Sequence, residues 1–327
     1  MRRTLMSLVL VMVGCTSGGD SAGIDAGGGP DAAGGDCGIS EYVCLPVPER
    51  GFQVASVGLM IEPQEDVEYC EIVQLPGTAD DTYYVNRFES KMTTGSHHLI
   101  VSAVVEGSPT ETNAHVGDRV PCVGPGGFGD DLREVTGSQH PYNEETFPDG
   151  VGRVYQGGQL VVFDYHYLNT SDQAIPAQAA VNFHTTDAAN VVNIARDFGF
   201  YNVNIPTPMG QYSSFDASCA FDHDVTVWKL TRHTHQWGID FTVWWNGGPN
   251  DGQQIYVSPD YEDTNYYFAE PLVVPAGVGF TWRCEYYNDS DHDLQFGPNA
   301  TDEMCILFGV WWSPDGGDVP DQGCYRF

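Results

Sequence analysis

Positive charge is scarce in this 327-residue sequence. Lys and Arg number 13 against 45 Asp and Glu, a formal net charge of -32. That argues against nucleic-acid binding, since phosphate recognition needs a basic face, and against adsorption on anionic lipid. An acidic shell of this kind keeps an exported protein soluble. No segment sustains a helical period of useful length. No two cysteines form a C-x-x-C pair, which argues against a zinc knuckle. The apolar run Leu5–Val13, broken by Ser7, is well short of the roughly 20 residues a membrane-spanning helix needs.

That short run carries information of its own. It follows Arg2 and Arg3 and ends at Gly14-Cys15, the form of a bacterial lipoprotein signal. Residues 1–14 are therefore expected to be a signal peptide, and Cys15 the lipidated N-terminus. Residues 15–36 are Gly, Ala, Ser and Asp with almost no large side chains. Such a segment cannot bury enough apolar surface to offset ordering entropy and reads as a flexible tether. The expected location is outside the cytoplasm, anchored by lipid to the envelope at the outer membrane or cell surface. That anchor is the only membrane contact expected, and no nucleic-acid partner is.

Setting Cys15 aside leaves eight cysteines: 37, 44, 70, 122, 219, 284, 305 and 324. An even number in an exported chain predicts disulfides rather than thiolate ligands. They fall into two groups of four on either side of a gap from 122 to 219, in accord with about two domains for this length.

With 38 Gly and 20 Pro as punctuation, short runs rich in Val, Ile, Tyr, Phe, Trp and Thr read as strands. Examples are HHLIVSAVV (97–105), QLVVFDYHYLN (159–169), DVTVWKLTRHTHQW (224–237) and MCILFGVWW (304–312). The pattern predicts antiparallel β-sandwiches or barrels. No internal repeat is evident, and the boundary between halves falls near residues 187–205.

Three histidine placements stand out among ten. His233 and His235, read as part of one long strand, would share a face and could chelate one ion, although H-x-H alone is weak evidence. The neighbours His97 and His98 would face opposite ways on a regular strand. Both reach one ion only if the strand begins irregularly, which Gly95 would permit. A third ligand must come from elsewhere. His166 is a candidate, although between Tyr165 and Tyr167 it reads, taken singly, as a core histidine. Met304 gains meaning in this company, since a thioether beside imidazoles suits copper. Zinc gives no reason for the Met.

In order, the chain shows SHHL, YHY, RHTHQWG and TDEMC. Over residues 60–327 this resembles the catalytic core of the peptidylglycine α-hydroxylating and dopamine β-monooxygenase family. The resemblance implies an all-β fold of two tandem antiparallel, jelly-roll-like β-sandwich domains, here 37–195 and 196–327, with a copper cleft between them. It implies that His97, His98 and His166 hold an electron-transfer copper. His233, His235 and Met304 would hold the oxygen-binding copper and be the catalytic set. It implies disulfides Cys70–Cys122, Cys219–Cys324 and Cys284–Cys305, which leaves Cys37 to pair with Cys44 without family support. The implied activity is copper-dependent hydroxylation of an unactivated C–H bond of a small molecule. It uses O2 and an external one-electron reductant, which is ascorbate in the family.

The departures concern the substrate. The amidating members place an arginine, an asparagine and a tyrosine where this chain has Thr231, Ile306 and Phe308, and a glutamine where it has Asp164. Arg232 lies one residue from the first of these positions, on the opposite strand face. These three are the substrate-pocket candidates, and peptide amidation is not expected. The alternative to an oxygenase is a non-catalytic copper-binding surface lipoprotein. A weaker one is a β-sandwich adhesion or glycan-binding lipoprotein using its Trp and Tyr.

Overall fold

Strand alternation sorts the side chains of this molecule between the buried cores and the opposite faces of the sheets. The structure is a computed structural model describing residues 37–122, 131–259, 264–297, 301–317 and 321–326. The expected signal peptide, the tether and Cys15 lie outside the described residues. The fold is all-β. The described residues contain one short α-helix, Pro109–Asn113, capped by the Ser108 hydroxyl, which accepts from the Glu111 amide.

Four sheets carry the architecture, and none mixes residues before 195 with residues after it. The first runs Gly51–Ala55, Ala179–Thr186, Thr82–Met92, Val151–Gln156 and Asn193–Ile194, with Tyr142–Thr146 on the Thr82–Met92 strand. The second runs Arg119–Pro121, Asp66–Gln74, Leu160–Leu168, Ser96–Val104 and Leu132–Ser138. The third runs Asn265–Val274, Val225–His233, Ile306–Trp312, Arg196–Asn202 and Gln322–Arg326, and the fourth Tyr212–Ala220, Gly279–Tyr287, Gly238–Asn246 and Gln254–Ser258. Pairing is antiparallel except for Asn193–Ile194 on Val151–Gln156 and Arg196–Asn202 on Gln322–Arg326.

One buried cluster draws on the first two sheets, and another on the third and fourth. In the central strand of the second sheet, Val161, Phe163, Tyr165 and Tyr167 enter the core. Successive strand residues face opposite ways, so Val162, Asp164 and His166 lie on the other face. Leu99, Val101 and Ala103 of the neighbouring strand likewise enter the core and put His98 on the same outer face as His166.

The described residues from Cys37 onward belong to one compact unit. The third sheet reaches the first core directly. At Trp228 the strand Val225–His233 shifts register against both neighbours, and Trp228 joins the first cluster with Val310 and Trp312.

All four disulfides are present: Cys37–Cys44, Cys70–Cys122, Cys219–Cys324 and Cys284–Cys305. Such a set belongs to an oxidising compartment, extracellular or periplasmic.

A short repeat, N-x-S-D at 169–172 and 288–291, emerges in the turns. Asn169 and Asn288 each end a sheet-centre strand, and each side-chain oxygen accepts from the amide and hydroxyl of the serine two residues on, Ser171 and Ser290. The amide groups donate to Gln173 O and His292 O. The two turns are built alike, one in each half.

Candidate metal centres and their cleft

The first cluster grows from a pairing irregularity. His166 stands opposite His98 on one side and Glu68 on the other. The next pair should be Tyr167 with His97, but Tyr167 pairs with Ser96. His97 is thus the extra residue of a β-bulge, which re-aims a side chain that a regular strand would send to the core. The irregular start expected from Gly95 is present: its φ is +93°, and a Cβ there would lie 2.4 Å from Ile175 Cδ1.

The three rings converge. His97 stacks on His166 at 5.0 Å between centroids, and His98 lies 5.5 Å from His97 and 5.2 Å from His166. One ligand atom from each lies within 4.8 Å of the others, a span one ion could bridge. His166 is therefore not a core histidine.

Carboxylates surround these rings. Nε2 of His98 lies 3.4 Å from Glu68 Oε1 and 3.8 Å from Asp164 Oδ1, and Nε2 of His166 lies 2.5 Å from Asp66 Oδ1. Burial alone would depress His98, but Asp164 and Glu68 more than reverse it and raise the imidazole to about 9. Burial, then the charges of His98 and His166, lower His97. Sequence reasoning missed Asp66 and Glu68. Their signal was the D-x-E alternation at the head of a strand, which puts both on one face.

The second cluster corrects one expectation. His235 is not in a strand, because Val225–His233 ends at the first histidine. The chain then crosses to the fourth sheet through a turn closed by Gly238 N–H to His235 O, 3.1 Å. The cause is Glu303, which is fully buried. Its carboxylate accepts from the amides of His235 (2.8 Å), Trp237 (2.9 Å) and Met304 (3.0 Å). Those amides are drawn out of strand pairing, and both histidine and methionine segments are fixed to one group. Burial raises Glu303 to about 7 despite these bonds. Its signal was adjacency to Met304 in TDEMC.

The His233 and His235 rings still meet, at 5.5 Å and nearly perpendicular. Nδ1 of His235 lies 2.8 Å from Asp302 O, which leaves its Nε2 for a ligand. Nε2 of His233 is buried without a hydrogen-bond partner among the described residues, an orphan that a metal would satisfy. Burial, then the charges of His235 and His98, push His233 down to about 3. Burial also lowers His235, which feels His98 and Glu68 as well. The neutral imidazoles favoured here are the ligating form.

Met304 is buried just ahead of Ile306–Trp312, its carbonyl accepting from Tyr286 Oη at 2.6 Å. Cys305 faces the second core and is bridged to Cys284. Met304, His233 and His98 line a single cavity of about 720 Å³.

Thr231, Ile306 and Phe308 line it too. Phe308 lies 6.1 Å from His233 and edge-on to Tyr201 at 5.7 Å, and Tyr201 stacks on Tyr325 at 4.5 Å. Thr231 is bonded to Asn265 at 2.7 Å. Arg232 turns inward, as alternation requires, donating to Ser258 O at 2.6 Å and Thr234 Oγ1 at 2.7 Å, over the Phe241 ring. Lys229 and Arg133 also contribute to the lining, and each is ion-paired, with Glu145 and Asp321 respectively.

No family model and no curated protein matches the chain. Among solved structures it is similar to PNGase F, a glycosylasparaginase from Flavobacterium meningosepticum, at 9% identity over 82% of this chain and 97% of that one, TM-score 0.30. It is also similar to the PBCV-1 virus capsid, at 6% identity over 84% and 98% of the two chains, TM-score 0.23. A third likeness is to the VP2 subviral particle of infectious bursal disease virus, at 12% identity over 86% and 76%, TM-score 0.17. At these TM-scores the likenesses carry no argument.

Proposed function

We propose that the chain is an exported, lipid-anchored, copper-dependent monooxygenase built as two tandem β-sandwich domains. It hydroxylates an unactivated C–H bond of a small molecule with O2 and an external reductant such as ascorbate. The observation that carries this reading is that His98 of the first histidine cluster, His233 of the second and Met304 line one cavity. Three imidazoles at His97, His98 and His166 fit copper. Two imidazoles and a thioether at His233, His235 and Met304 fit it better than zinc, because soft sulfur favours Cu(I).

Copper supplies the one-electron and oxygen chemistry when bound. The chain's part is position. The His97 bulge brings three rings together, Glu303 pins the His235 turn to the Met304 segment, and Cys284–Cys305 ties down the residue beside Met304. Ile306 and Phe308 give the substrate an apolar wall beside the second cluster, and the Arg232 guanidinium is engaged by Ser258 O and Thr234 Oγ1.

Metal analysis of the purified chain after reconstitution tests the reading. Two coppers per wild-type chain are expected, and one in either His166→Ala or His233→Ala. O2 uptake with ascorbate and a panel of C–H substrates then separates catalysis from storage. Copper without uptake would favour the non-catalytic copper-binding lipoprotein. A chain that takes up no copper would end both readings.

A further inference from the structure

The two candidate centres differ in what stands behind their imidazoles. At the first, carboxylates stand against the imidazoles: Asp66 is hydrogen-bonded to His166 Nε2, and Glu68 and Asp164 lie 3.4 and 3.8 Å from His98 Nε2 as ion-pair contacts. At the second, His235 Nδ1 meets a neutral carbonyl, that of Asp302. The buried carboxylate there, Glu303, is engaged by three backbone amides, and among the described residues it makes no hydrogen bond to an imidazole nitrogen.

We propose that Asp66, Glu68 and Asp164 are positioning residues that bias the three-histidine centre toward the oxidised metal ion. The inference rests on the copper reading above and gives the two centres opposite preferences. The argument has two parts. An imidazole whose remote N–H faces a carboxylate is fixed in tautomer and orientation and becomes a more basic donor. A fixed negative charge near a metal also favours the ion of higher charge, and the attraction grows as water is excluded. Asp164 is almost fully buried, Glu68 is half-buried and Asp66 is exposed, so water screens Asp164 least and Asp66 most. At the other centre the thioether pulls the opposite way, toward Cu(I). The three carboxylates come from two paired strands, Asp66–Gln74 and Leu160–Leu168, and Asp66, Glu68 and Asp164 stand at alternating positions on the face that carries His166. Pleating therefore delivers all three to the same centre.

The test compares Asp164→Asn and Glu68→Gln in the full chain. Both are made in a His233→Ala background, so that only the three-histidine centre titrates, and the Cu(II)/Cu(I) midpoint is read by spectroelectrochemistry. Asp80→Asn, in an exposed turn, serves as the control for net charge. Each test substitution is expected to raise the midpoint, by about 59 mV for every tenfold loss of preference for Cu(II). The double variant should shift further and Asp80→Asn should not shift. Glu68 is half-exposed, so Glu68→Gln keeps the test open if Asp164→Asn folds poorly. Midpoints that stay put, or that move no more than in Asp80→Asn, overturn the proposal while leaving the copper reading intact. Failure of the wild-type centre to bind copper at all overturns both.

Discussion

A ligating histidine has two ring nitrogens, and whatever holds the one decides what the other can do. Asp66 holds Nε2 of His166, Asp302 O holds Nδ1 of His235, and His233 Nε2 is buried with no hydrogen-bond partner among the described residues. Residue identity in short motifs made the histidines and Met304 legible in the sequence. Their supports were not, because Asp66 lies 100 residues from His166 and Glu303 lies 68 from His235. Only strand pairing brings such residues together. The substrate wall belongs to this scale as well. Charge-assisted hydrogen bonds are worth about 1.5–3 kcal/mol each, and here Thr231 is bonded to Asn265, Arg232 turns inward, and Lys229 and Arg133 are ion-paired. Competition binding to the copper-loaded chain should therefore rank phenylalkyl compounds above glycine-extended peptides. Phe308→Ala should weaken the former by roughly fivefold, about 1 kcal/mol for a partly buried ring. Tight binding of a glycine-extended peptide that disappears on amidation of its carboxylate would show that the pocket holds an anion after all.

At the scale of elements, strands rich in β-branched and aromatic residues declared themselves, and alternation placed Arg232 on the face opposite Thr231, whereas it is Tyr165 and Tyr167, not His166 between them, that enter the core. Irregularities were only partly legible. Gly95 signalled a break, and the structure turns it into a bulge that makes neighbours His97 and His98 cooperate. The end of the Val225–His233 strand had no such signal, because Thr234 and His235 could continue a strand by propensity alone. It is Glu303, recruited from another segment, that stops it. The turns at Asn169 and Asn288 share the short pattern N-x-S-D, and four residues are too few to declare a repeat before the matching hydrogen bonds are seen. Position within an element also makes the Cys284–Cys305 bridge testable. It joins Gly279–Tyr287 of the fourth sheet to the residue after Met304, just ahead of a third-sheet strand. Losing a native disulfide costs about 2–5 kcal/mol. The double variant Cys284→Ala, Cys305→Ala should melt earlier and lose copper from the His233 centre before the His166 centre. Metal analysis along a thermal or urea titration reads that order, and simultaneous loss from both centres would make the bridge a general staple instead.

At the scale of the whole molecule, the cavity depends on contacts between the two halves, and these are unusually ionic for buried surface. Lys229 meets Glu145 at 2.6 Å, Tyr267 donates to the same carboxylate at 3.0 Å, and Arg153 holds Asp197 through two bonds of 2.6 and 2.7 Å. Trp228 packs on Phe147 beside them, 5.2 Å between ring centroids. Nothing in the composition announced this network, because its partners lie 84 and 44 residues apart. Its consequence is a pH dependence with a definite sign. Burial alone would raise Glu145, but the Lys229 charge and hydrogen bond reverse this and lower it below its ordinary 4.5. A depressed carboxyl contributes stability that is present above its ordinary value and lost as pH falls through its folded value. For Lys229, burial works against the charge and Glu145 overcomes it, raising the amine above its ordinary 10.5. That contribution is complete below 10.5 and fades only at higher pH. The pair therefore contributes fully at neutral pH and fails first on the acid side. Glu145→Gln takes from the buried Lys229 ammonium its hydrogen-bonded counter-charge, leaving Glu134 as the other carboxylate acting on it, and breaking one side of a buried pair costs about 3–5 kcal/mol. Urea unfolding at neutral pH should show that loss. On acidification through 4.5 and below, the gap between wild type and Glu145→Gln should narrow, because protonated Glu145 resembles the glutamine. A gap that stays constant with pH would mean that Lys229 is held by packing and hydrogen bonds rather than by charge.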